Sequence, residues 1–98
     1  MVTHVVIWKM KPEAEGQDAA ANMAKMQNLL YGLKGVVPGL LDLNCGVDFN
    51  RSAAAYDFAL VTVHTSREAL ALYQDHPEHV KVRDFVGKVA QARAVVDF

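Results

Sequence analysis

Thr3-His4-Val5-Val6-Ile7-Trp8-Lys9-Met10 is apolar on two faces at once. Side chains of an extended segment point alternately to opposite sides, so His4, Val6, Trp8 and Met10 share one face while Val5 and Ile7 share the other. Such a strand belongs in a sheet that is covered on both sides. Lys11-Pro12 closes it. Downstream, Glu13 to Gly35 reads as one helix, with Ala19, Met23, Met26, Leu30 and Leu33 at helical spacing and an alanine-rich middle. Gly35 and Pro38-Gly39 mark its end. Leu40 to Val47 reads as a second strand, Asp48 to Ala54 as a turn, and Tyr56 to Thr65 as a third strand. Ser66 is the N-cap of a helix from Arg67 to about Asp75, with Glu68 favourable in its first turn. His76-Pro77 breaks that helix, a second piece runs from Glu78 to about Val89, and Ala92 to Phe98 forms a fourth strand.

The order is β-α-β-β-α-β, the split arrangement of a ferredoxin-like α+β sandwich: a four-stranded antiparallel sheet with both helices on one face. The other face is left bare. It carries Val5 and Ile7 and either Ala59, Val61 and Val63 or their alternates, too apolar an area for routine exposure. The simplest cover is a second copy of the same sheet, so a homodimer joined through its sheet faces is expected.

Composition narrows the function. The 98 residues are expected to make one domain spanning 1–98, and 52% hydrophobic with 21% charged residues is an ordinary globular balance. Ten Lys and Arg against eleven Asp and Glu give a net charge of −1 without a basic cluster, which argues against nucleic acid and anionic membrane as partners. Cys45 is alone, so no disulfide framework or zinc motif is expected, and a reducing cytoplasm fits. No targeting segment is visible, and no apolar run approaches the roughly 20 residues needed to cross a bilayer.

Chemistry concentrates in Tyr73-Gln74-Asp75-His76-Pro77-Glu78-His79, a phenol and two imidazoles within seven residues. Histidine titrates near neutrality and tyrosine offers a high-pKa donor, a combination suited to proton transfer. Tyr73 and His79 would lie about 240° apart on an unbroken helix, so their convergence requires the proline break. This stretch matches a Tyr-x-x-His-Pro-x-His pattern. Together with His4 to Lys11, Val37-Pro38-Gly39, Tyr56 to Leu60 and Val96-Asp97-Phe98, it resembles the stress-responsive α/β-barrel domain family, Dabb, over nearly the whole chain. The resemblance implies a dimeric α/β barrel, two sheets face to face with helices outside. One plant member of the family is a polyketide cyclase that closes a ring by intramolecular aldol condensation. Carried over by residue, that activity implies His79 as the base, Tyr73 as hydrogen-bond donor to the developing oxyanion, and His4 lining the same pocket. Phe58 stands where the plant enzyme has histidine, a departure that makes the wall more apolar and weighs against the same substrate.

Bland readings stand beside these. Tyr73 and His79 also suit a buried hydrogen bond kept for packing, and His4 and Trp8 suit the core. Met23, Met26 and Leu30 are the buried stripe of the first helix, with Met26 and Leu30 also suited to a pocket wall alongside Trp8 and Phe58. His76 suits a structural role, satisfying local backbone groups where the helix breaks, Cys45 a small buried hydrophobe, and His64 has no companion in sequence. His76 and His79 have metal-ligand spacing but no third ligand, so neither a metal nor a cofactor is expected. Three functions remain: a small-molecule site for an apolar or polyketide-like ligand, enzymatic or binding; a packed, stress-associated dimer without turnover; and a haem-degrading or quinol-oxidising monooxygenase of the related ferredoxin-like superfamily.

Overall fold

The computed structural model describes residues 1–98. Strands β1 (Val2–Met10), β4 (Leu40–Val47), β5 (Phe58–His64) and β6 (Ala90–Asp97) form one antiparallel sheet in the order β4-β5-β1-β6. The doubly apolar β1 takes a central place, where both of its edges are paired. Helices α1 (Ala19–Tyr31), α2 (Arg67–Asp75) and α3 (Pro77–Val89) cover one face. The expected ferredoxin-like fold is what the chain adopts.

Register explains which side chains make the core. Opposite β1, His4 faces Thr62, Val6 faces Leu60 and Trp8 faces Phe58 on β5, and all six side chains are buried beneath the helices. Met23, Met26 and Leu30 of α1, Tyr73 of α2, and Val82, Val86 and Val89 of α3 complete that core. The alternate set, Val5, Ile7, Ala59, Val61, Val63, Ala94 and Val96, points to the face that no helix covers. Val61 is 39% and Val96 63% exposed there.

The segment from Glu13 corrects the sequence reading. In place of a helix beginning at Glu13, β2 (Glu13–Ala14) and β3 (Gln17–Asp18) form a small hairpin. Glu15 and Gly16 turn it with φ of 51° and 75°, the left-handed pair that a two-residue hairpin turn demands. Helix α1 starts only at Ala19, because Asp18 caps it by accepting from the Ala21 amide at 2.8 Å. Asn22, buried on α1, ties the hairpin down by donating to the Ala14 carbonyl at 3.0 Å. The third strand also starts later than expected, at Phe58. Asp57, just ahead of it, keeps a backbone bond to Trp8 at 2.8 Å, and its carboxylate accepts from the Met10 amide at 2.7 Å and from Arg51 at 2.7 Å. The last strand begins earlier, at Ala90, directly from α3.

At the far edge, β6 is hardly covered: every residue after Ala90 is exposed. The helices shelter β1 and β5 and leave a cleft toward β6. No helix is long and apolar enough to cross a membrane.

Candidate functional site

The cleft is created by the break between α2 and α3. Pro77 has no amide to donate to Tyr73, so the His76 amide takes that carbonyl instead, at 3.2 Å. The His76 imidazole then caps α3, its Nδ1 accepting from the Glu78 amide at 3.1 Å. Gln74 is left with a carbonyl outside the helical ladder. His79 Nδ1 donates to it at 3.1 Å and Arg83 at 3.2 Å. Because a carbonyl only accepts, the neutral His79 ring carries its proton on Nδ1 and keeps a lone pair on Nε2. The redirected chain brings His79 onto Tyr73, ring centroids 4.1 Å apart with planes inclined by 37°.

Between α3 and β6, over β1, lies a cavity of about 550 Å³. Val6 and Trp8 floor it, α3 contributes His79, Val82, Arg83 and Val86, and β6 contributes Arg93. His4 reaches it from β1, with Nδ1 2.5 Å from the Asp97 carboxylate. The carboxylate accepts, so this second imidazole also has Nε2 free of the contact.

Electrostatics favour a neutral imidazole at His79. Burial is the largest influence and lowers its pKa from the ordinary value; the Gln74 carbonyl opposes this, while the charges of Arg83 and Arg93 and the neighbouring His4 ring lower it further. Burial likewise pushes the Tyr73 phenol far up, so it remains a neutral O–H. That hydroxyl is buried with no hydrogen-bond partner. His64, bonded through Nε2 to Thr62 at 2.9 Å, is depressed by burial first and by His4 second, with Asp97 opposing.

A family model for the stress-responsive A/B barrel domain, Dabb, matches residues 2–98. The chain belongs to the Dabb family. No curated protein matches this Dabb domain. Among solved structures, it is similar to a dimeric ferredoxin-like protein of unknown function from Bacteroides fragilis, with a TM-score of 0.87 and 21% identity over 99% of this chain and 93% of the other. A dimeric ferredoxin-like protein of unknown function from Jannaschia aligns with a TM-score of 0.75 and 26% identity, covering 99% and 96%. A Dabb family protein with a ferredoxin-like fold from Mesorhizobium loti gives 0.76 and 18%, covering 99% and 93%.

Of the residues singled out from sequence, His4, Trp8, Leu30 and His79 line the cleft of this Dabb domain. Tyr73, Met26 and Phe58 do not form its wall. Tyr73 packs behind His79, Phe58 lies against Trp8 with centroids 5.9 Å apart, and Met26 is fully enclosed in the core. His64 proves to have companions: its ring is 4.8 Å from Tyr73 and 6.4 Å from His4. Strand parity, which puts His4, Thr62 and His64 on one face, carried that signal. Gln74 and Asp97 enter the sequence reading only as members of quoted motifs, and Arg83 and Arg93 do not enter it. Arg83 shares the helical face of His79 four residues on, which sequence spacing gives, whereas Arg93 and Asp97 enter through the β1–β6 register, Trp8 opposite Arg93 and His4 opposite Asp97. Cys45 is half-buried, and burial pushes its thiol up to about 11, so it stays protonated at neutral pH.

Proposed function

We infer that this Dabb domain acts as a homodimer, joined through the uncovered sheet face, and that its α3–β6 cleft takes a small carbonyl compound and moves a proton on it. The observation that carries the reading is His79 in the cleft wall with its Nδ1 proton committed to Gln74 and its Nε2 lone pair free. A neutral imidazole near physiological pH is the state a general base needs. In the proposed step, Nε2 takes a proton from the carbon alpha to a carbonyl, and the C–H electron pair moves onto the carbonyl oxygen as an enolate. The family resemblance assigns the hydrogen bond to that oxygen to Tyr73, whose O–H no protein group satisfies; because Tyr73 is fully buried behind His79 and lines no part of the cleft, the contact requires the His79 ring to shift when the ligand binds. With a second carbonyl on the same chain, the enolate carbon forms the new C–C bond, and the resulting alkoxide recovers the proton from His79. This is the aldol-type cyclisation that the family resemblance implies.

Proton abstraction can be measured without knowing the natural substrate. In D2O, the protein should accelerate deuterium uptake at the alpha carbons of a medium-chain 3-oxo compound, followed by NMR. His79→Ala should return the rate to that of buffer. Equal rates with and without the wild-type protein would remove the catalytic reading.

A further inference from the structure

Two guanidinium groups flank the cleft from opposite walls, Arg83 on α3 and Arg93 on β6, and no Asp or Glu lines it. The Arg93 guanidinium makes neither a hydrogen bond nor an ion pair, and its backbone pairs with Trp8 across the strands. Arg83 spends one N–H on the Gln74 carbonyl and keeps the rest of its donor fork. Asp97, the acid next to the site, is engaged by His4, and Glu78 on α3 is paired with Lys81 at 3.1 Å. The remainder of the wall is hydrocarbon: Val6, Trp8, Val82 and Val86.

We propose that the cleft selects a small amphipathic organic acid, with its carboxylate held between Arg83 and Arg93 and its apolar body along Val6, Trp8, Val82 and Val86. This deepens the small-molecule reading of the same cleft and rests on it. Planar guanidinium forks match a carboxylate through paired, charge-assisted hydrogen bonds. A fixed carboxylate also sets the distance along the ligand at which a carbonyl meets His79. Both arginines act on His79, holding its pKa down, so neutralising them with a bound anion shifts that pKa upward. Ligand binding thus adjusts the base.

Trp8, the sole tryptophan, is a built-in reporter on the cleft floor. The experiment titrates the intact protein with octanoate and with octan-1-ol, probes of one chain length that differ in head-group charge, and reads Trp8 fluorescence and the His79 imidazole NMR titration. Octanoate is expected to bind at least about tenfold more tightly than octan-1-ol, as one charge-assisted contact would give. It should also raise the His79 pKa, and its advantage should shrink with added salt. Arg93→Gln should erase the preference for octanoate over octan-1-ol; Arg93 is the cleaner variant because its guanidinium bonds no protein group, whereas Arg83 holds the Gln74 carbonyl. Equal affinity for the two probes, or undiminished octanoate binding by Arg93→Gln, would overturn the anionic preference and leave a neutral-ligand cleft standing. Failure of both probes to perturb Trp8 or His79 would overturn the ligand-binding reading as well.

Discussion

His64 and His79 are both buried as neutral rings, and each has its pKa lowered chiefly by that burial. The unfolded chain takes up their protons near the ordinary histidine pKa of about 6.5, while the folded chain resists until lower pH. The unfolded state therefore binds more protons in that window, so stability is fully present above about pH 6.5 and is lost as pH falls through the two native values. Thermal unfolding should give a level melting temperature above pH 7 and a decline between about pH 6.5 and 5, where free carboxylates hardly titrate. His64→Gln keeps a donor for Thr62 and should flatten that decline; an unaltered slope would show that His64 is not one of the groups responsible. At Tyr73, the phenol lies behind His79 with its hydroxyl unpaired. Tyr73→Phe should keep the fold and lose roughly a hundredfold to a thousandfold in deuterium uptake, the scale of one missing oxyanion donor. Full activity in that variant would reduce Tyr73 to a packing surface for the imidazole.

The α2–α3 break is an element-level device made of two residues. Pro77 withholds an amide and His76 supplies both a backbone bond to Tyr73 and a side-chain cap for α3. Pro77→Ala restores the missing donor, so the helix should run on and pull His79 from the Gln74 carbonyl. Long-range 1H-15N correlations, which distinguish imidazole tautomers, should then show His79 losing its fixed Nδ1–H form; an unchanged pattern would mean that packing on Tyr73 alone orients the ring. His76→Ala should cost about 1 kcal/mol in urea unfolding, as loss of an N-cap does, and His76→Asn should recover most of it. If His76→Ala unfolds like wild type, the cap contributes nothing measurable.

At the scale of the molecule, the sheet face bearing Val5, Ile7, Val61 and Val96 is the largest physical demand left unmet by one chain. Apolar side chains arrayed on a flat sheet match a second copy across a two-fold axis, and the Bacteroides fragilis and Jannaschia relatives are described as dimeric. Light scattering at micromolar concentration should report twice the chain mass. Val61→Asp, which places a charge at the centre of that face, should yield monomers or aggregates because an unpaired carboxylate resists burial. A wild-type protein that scatters as a monomer would remove the homodimer.

Periodicity alone determined much of this protein. Alternation in β1 and β5, the run of β4, the Ser66 cap and the His76-Pro77 break follow from local rules: side chains alternate in strands, hydroxyls cap helices, and proline lacks an amide. The hairpin at Glu13–Asp18 was obscured because Glu15-Gly16 has no strong local signal against an alanine-rich background that favours helix. Residues of the candidate site and its surroundings divide the same way. Tyr73, His79 and His4 are legible from spacing and family pattern, all within short stretches of chain. Only the tertiary structure set Asp97 beside His4, 93 residues away in sequence, and placed Arg93 across the cleft from Arg83. Strand order and register decided those meetings, and both depend on long-range pairing that local sequence does not encode.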